Sequence, residues 1–227
     1  MPVGTESTKR RYLQIKDGKI TEFKDEKTWN VYSYISRVHL VNITFRKVRK
    51  SGTGEDGPVV GNMLQLHLID QNDYFILELW YNDPFAKCFY NLMENLSLVE
   101  DLSLFVEEKK VDGRPKRSLF MRQGPGWIKH KYTKDNMGQC PTLQVSYLAD
   151  PTAPDGQKKV YNDDLQLSFY LEQVSNYMIP KLERKLNPYP NHMIFEGMVG
   201  HKIAGDHFKE QELMPQLINE TLDDLPF

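Results

Sequence analysis

The sequence predicts a mainly-β fold: a five-stranded barrel with a helix between its third and fourth strands, an N-terminal hairpin, and a C-terminal helix followed by an extended acidic tail. Three observations predict it. Period-two alternation of apolar and polar residues recurs from Tyr12 to Gln123, as half-buried strands require. An Asp17-Gly18 pair sits between two alternating runs, the strongest short-range hairpin signal. A helix-opening Asp83-Pro84 follows the third long strand and precedes two more.

Each element follows from its residues. Residues 1–11 are polar and expected to be mobile, and the hairpin occupies residues 12–23. Val41, Ile43 and Phe45 alternate with Asn42, Thr44 and Arg46 in a long strand over Tyr34–Val48, which ends at a glycine-rich loop, residues 51–58. Leu64, Leu66 and Leu68 define a strand over Met63–Ile69, and Tyr74–Tyr81 is rich in strand formers. Phe85, Cys88, Phe89 and Leu92 recur at helical spacing and form one apolar stripe. Leu102–Lys109 and Lys116–Gln123 make two further strands, and an extended run covers Trp127–Tyr132. Long strand, strand, strand, helix, strand, strand is the connectivity of an OB-fold. An amphipathic helix over Asp163–Met178, limited by Pro180, completes a domain spanning residues 12–180; residues 181–227 read as an arm and tail.

Composition excludes several classes of protein. With 40% hydrophobic and 26% charged residues the chain is neither fibrous nor largely disordered, and it has no apolar run long enough for a membrane helix. No signal-peptide pattern opens it, so the expected location is the cytoplasm, with no membrane partner. Cys88 and Cys140 are read as free thiols. No phosphate-binding glycine loop, metalloprotease motif or nucleophile elbow is present, so the chain is read as a non-enzyme without cofactors. No metal site is assigned; His201 and His207 are the weak candidates, and Asp163-Asp164 reads as a helix cap rather than an acid–base pair.

The net charge of −2 conceals a polarised chain. Lys109–Lys134 holds nine basic residues against the single acid Asp112, whereas Asp206–Phe227 holds six acids against Lys209. A second basic cluster, Arg46, Lys47, Arg49 and Lys50, adjoins the glycine-rich loop. Such asymmetry points to a polyanion, although a solvated charged face is the commoner meaning of any one cluster.

Splitting the strands into faces locates candidate contacts. Glu78 marks one face of Tyr74–Tyr81 as solvated and places Tyr74 and Trp80 outward; Phe105 and Phe120 point outward on the later strands. Trp127 alternates with Lys129 and Lys131, and Lys116, Arg117 and Arg122 lie nearby. Exposed rings interleaved with cations suit a single nucleic-acid strand, because bases stack on rings while cations follow the phosphates. For Tyr74, Phe105 and Phe120, coverage by the hairpin or the C-terminal helix is the competing reading.

The chain ends Asp223-Asp224-Leu225-Pro226-Phe227. Acidic residues before a hydrophobic-Pro-Phe terminus resemble the C-terminal tip of bacterial single-stranded DNA-binding proteins. Tyr12–Lys19, Tyr74–Leu79 and Tyr132–Asn136 resemble OB-fold single-stranded DNA-binding proteins of tailed bacteriophages. The resemblance implies sequence-tolerant binding and protection of single-stranded DNA in replication, recombination and repair, in a bacterial or phage-infected cytoplasm. It also implies a tip that recruits partners such as a polymerase, a helicase-primase or a nuclease. The short tail and the added helix depart from the bacterial family and leave its tetrameric state open here. Single-stranded RNA binding, or an adaptor that binds no nucleic acid, are the alternatives.

Overall fold

The computed structural model describes residues 10–25, 28–50, 52, 57–70, 73–111, 114–152 and 156–186. Nine strands within these residues form one mixed sheet: β1 (Arg10–Lys16), β2 (Lys19–Asp25), β3 (Thr28–Tyr32), β4 (Tyr34–Arg49), β5 (Val59–Ile69), β6 (Tyr74–Trp80), β7 (Leu102–Val111), β8 (Arg114–Gln123) and β9 (Gly126–Trp127). Their order is β3-β2-β1-β6-β5-β4-β7-β8-β9. Helix α1 (Pro84–Leu92) falls between β6 and β7, so the predicted succession of strands around one helix is present.

The fold is mainly β, but the expected count of five strands and the closed barrel are corrected. The sheet runs open from β3 to β9 among the described residues. The reason lies in the N-terminal hairpin: β1 pairs in parallel with β6, Arg10 opposite Tyr74 through Gln14 opposite Glu78, and so occupies the edge through which a five-stranded barrel would close. Arg117 of β8, beside its β7 register partner Glu108, reaches across that open seam toward Asp83 beyond the end of β6. The Arg117 guanidinium donates to Glu108 at 3.2 Å and lies 3.9 Å from Asp83. The β1–β2 turn carries positive φ at both Asp17 (51°) and Gly18 (66°), the geometry of a type I′ hairpin turn. It presses on β7, where a Cβ on Gly18 would stand 2.8 Å from both Cβ and N of Glu108.

Strand β4 belongs to both halves of the sheet. Tyr34–Val38 pairs with β7 and His39–Arg49 with β5; the bend between them passes through Arg37 at φ 57°. One face of the sheet supplies the core, with Leu13, Ile43, Leu66, Leu77, Leu104 and Leu119 all essentially without exposure. The α1 stripe of Phe85, Cys88, Phe89 and Leu92 is buried as its spacing requires, and the Asp83 carboxylate caps the helix by accepting from Phe85 N at 2.8 Å.

The C-terminal helix is longer than predicted. Helix α2 (Asp164–Gln173) passes through a π-helical turn, Val174–Met178, into α3 (Ile179–Leu186). Ile179 N donates to Val174 O, five residues back, and this widened turn admits Pro180 without ending the helix. Asp163 does not cap α2 through its side chain; it is buried in an ion pair with Lys87 of α1. Asn162 accepts from Asp164 N instead. Two further strands were not legible as such: β10 (Gln144–Ala149) and β11 (Gln157–Asn162) form a separate antiparallel hairpin on either side of the predicted Asp150–Gly156 connection. The predicted extended run over Trp127–Tyr132 is strand only at Gly126–Trp127. Among the described residues no helix is long and apolar enough to cross a membrane.

Candidate nucleic-acid interface

Register across β4, β7 and β8 assembles an aromatic row that the sequence gives only in pieces. Tyr34 stands opposite Phe105, and Phe105 opposite Phe120. Inward neighbours Ile35, Leu104, Leu119 and Met121 pack in the core, so the alternation of the pleat turns all three rings outward. Trp127, opposite Arg122 on β9, closes the group edge-on to Phe105 at 5.1 Å and to Phe120 at 6.3 Å, while Tyr34 stacks on Phe105 at 5.3 Å. Tyr34, Phe120 and Trp127 retain 53%, 40% and 57% exposure, enough to offer ring surface to a ligand; Phe105 is half-buried between its neighbours. Of the two rings in this row for which coverage by the N-terminal hairpin or C-terminal helix is the competing expectation, Phe120 stays exposed and Phe105 is flanked by Tyr34 and Trp127.

A cleft of about 620 Å³ adjoins the row at Phe120. Lys109, Lys116 and Lys134 line it with Tyr132, Tyr170 and His130, and Glu107 is the one carboxylate of the lining. Glu107 takes Lys109 at 2.9 Å, which leaves the cleft with a net positive wall. The loop that carries the last of these groups is held on α1. Asn91 donates to Tyr132 O at 2.8 Å, accepts from Tyr132 N at 2.7 Å, and through its own carbonyl accepts from Lys131 N at 2.8 Å. Asn95 donates to Lys129 O at 2.9 Å. Lys129 and Lys131 are exposed along this fixed loop, with Glu94 at 3.7 Å from Lys131. Desolvation at the cleft wall holds the His130 imidazole below its usual pKa, so it is neutral at pH 7. Burial pushes the Tyr132 and Tyr170 phenols well above the ordinary tyrosine range, so neither adds charge to the cleft.

Of the residues singled out in the sequence, Phe105, Phe120, Arg122 and Trp127 come together on the row, Lys116 lines the cleft, and Lys129 and Lys131 flank it. Others stand elsewhere. Arg117 points to the opposite face of β8, toward Glu108 and Asp83. Arg46 donates to the buried Glu78 at 3.1 Å. Lys47 is exposed on β4, Arg49 donates to Gly57 O, and Lys50 N donates to Pro58 O at 3.1 Å, so these residues shape the base of the β4–β5 loop.

Tyr74 is the clear correction. It is buried with Val41, Ile69 and Ile76, its hydroxyl meets His67 Nδ1, and burial pushes its pKa up to about 12. The inference from Glu78 failed because Glu78 is itself covered, accepting from Arg46 and from Gln65 at 2.9 Å. Trp80 is exposed as expected, yet it lies over Gly61 at the mouth of the seam. That second cavity, about 380 Å³, presents Asp17, Glu78, Asp83 and Glu108 against Arg117, a poor setting for phosphates. Tyr34, Lys109, Lys134 and His130 are the site residues that sequence reasoning did not select. Tyr34 opens the predicted strand Tyr34–Val48, and alternation counted back from Ile35 sets its ring outward. Asp223, Asp224, Leu225, Pro226 and Phe227, with His201 and His207, lie outside the described residues. Among the described residues no three His, Cys, Asp or Glu side chains cluster as a metal site would.

No protein-family model, curated protein or solved structure matches the chain.

Proposed function

We propose that the chain is a non-enzymatic, OB-type single-stranded DNA-binding protein that holds and protects DNA without sequence preference during replication, recombination and repair. The observation that carries this reading is the row Tyr34–Phe105–Phe120 with Trp127, set beside a lysine-lined cleft. Every base has a π-face, so a row of rings binds bases without reading them, while Lys109, Lys116, Lys129 and Lys134 follow the phosphates. The element order supports an OB assignment in which an added hairpin occupies the closing edge. In this reading the protein works in the cytoplasm of a bacterial or phage-infected cell. The segment Asp223–Phe227 recruits replication and recombination proteins such as a polymerase, a helicase-primase or a nuclease.

Binding of oligo-dT to the wild-type chain and to Lys116→Glu/Lys134→Glu tests the proposal. The reversed pair is expected to lose most of its affinity at moderate salt. Unchanged activity in cells together with no DNA binding by either protein would favour the adaptor reading, and competition with matched RNA oligomers separates DNA from RNA. Deleting residues 219–227 is expected to leave DNA affinity intact or raised while abolishing partner capture.

A further inference from the structure

The hairpin β10–β11 stands apart from the large sheet: its two strands pair only with each other. All six residues of β10 are exposed, including Val145, Tyr147 at 61% and Leu148. A two-stranded hairpin on its own is marginal in water, and contiguous exposed apolar surface is where ligands and partners bind. Register fixes what each face presents. Val145 lies opposite Tyr161 and Tyr147 opposite Lys159, so one face shows two tyrosines, a valine and a lysine; the other pairs Leu148 with Lys158. Lys159 lies 4.8 Å from the Tyr161 ring centroid. Neither strand contains a carboxylate, whereas β11 supplies two lysines.

The hairpin is also rooted at the cleft. Its first strand follows Cys140-Pro141 and its second leads into α2, and the two roots are tied by Gln166 Nε2 donating to Pro141 O at 2.8 Å. Gln166 itself lines the cleft, together with Lys134 on the incoming loop.

We infer that β10–β11 is a second contact for the same single strand, bases seating on Tyr147 and Tyr161 while Lys158 and Lys159 meet phosphates as the strand leaves the cleft. The inference rests on the proposed DNA-binding reading. Tyrosine-bearing, with two lysines and no carboxylate in either strand, this surface complements a polyanion with flat bases better than it complements a protein.

The test uses the full chain and oligo-dT of two lengths, about 6 nucleotides, near the low end of the roughly 4–16 that one such domain covers, and about 20, beyond its high end. Tyr147→Ala/Lys159→Ala is expected to lower affinity for the longer oligomer about tenfold and to change affinity for the shorter one by less than about twofold. Lys158→Glu/Lys159→Glu, which leaves both tyrosines in place, is expected to show the same length-dependent loss. Wild-type affinity in both variants at both lengths overturns the inference alone. So does an equal loss at both lengths, and so does a change from dimer to monomer by light scattering with DNA affinity intact, which would assign the hairpin to a second copy of the chain. Absence of DNA binding by the wild-type chain overturns the functional reading, and this inference with it.

Discussion

Replacing Phe120 by alanine separates stacking from charge. The ring is 40% exposed on the outer face of β8, with Phe105 in register beside it and Trp127 edge-on at 6.3 Å. The backbone neighbours Leu119 and Met121 stay in the core, so the fold loses little: an edge contact of about 0.5–1 kcal/mol and part of one ring's burial. A base stacked on that ring contributes about 1–3 kcal/mol, so the Kd for oligo-dT is expected to rise between about 5-fold and 150-fold. No cation is removed, so the slope of log Kd against log salt should stay unchanged. Lys116→Ala should behave in the opposite sense, reducing that slope by about 0.7 with a smaller loss of affinity at low salt. Trp127 remains in both variants as the fluorescent reporter, and circular dichroism checks the fold. A Phe120→Ala protein that is folded and binds within about twofold of wild type would refute the stacking assignment.

Three other perturbations probe the frame around the site. Glu22 accepts from Arg11, Tyr32 and Asn30, and the Arg11 guanidinium holds its carboxyl at about 2, well below the ordinary 4.5. The stabilisation is therefore present above about pH 4.5 and is lost as the pH falls toward 2. Glu22→Gln is expected to cost about 1.5–3 kcal/mol in urea unfolding at pH 7 and little near pH 2; an equal cost at both would contradict the assignment. Because His130 is held below its usual 6.5, DNA affinity should tighten as the pH drops from 7 toward 5 and the cleft gains a charge. His130→Ala should flatten that dependence, and a variant with the full wild-type pH dependence would rule the residue out. Gly18→Ala places a Cβ at positive φ and within 2.8 Å of Glu108, which is expected to destabilise the protein by at least about 2 kcal/mol; a thermal melt unchanged from wild type would show that the turn does not bear on β7.

Local chemistry was legible where neighbours in sequence decide it. The Asp17-Gly18 turn, the Asp83-Pro84 helix start and the apolar stripe of α1 all follow from spacing and capping within a few residues. What depends on distant partners was not. The capture of the β6 edge by β1 joins residues some sixty positions apart, and with it the expected barrel becomes an open sheet. Tyr74 departs from the outward position that alternation with Glu78 predicts, because Glu78 does not face solvent but lies under Arg46 and Gln65. Pro180 reads as a helix end in the sequence because the π turn before it leaves no mark in the apolar pattern. At the site the outward positions of Phe105, Phe120 and Trp127 could be read by alternation; their convergence with Tyr34 is a matter of register, which no single strand encodes.

The most direct test of the central claim is fluorescence of Trp127 in a Trp29→Phe/Trp80→Phe background, titrated with oligo-dT over a range of salt. Quenching that saturates, and whose affinity falls with salt by about 0.7 in log–log slope for each phosphate contacted, is the result expected if the aromatic row and its cleft hold a single strand. A Trp127 signal that does not respond to oligo-dT at low salt in the folded protein would contradict it.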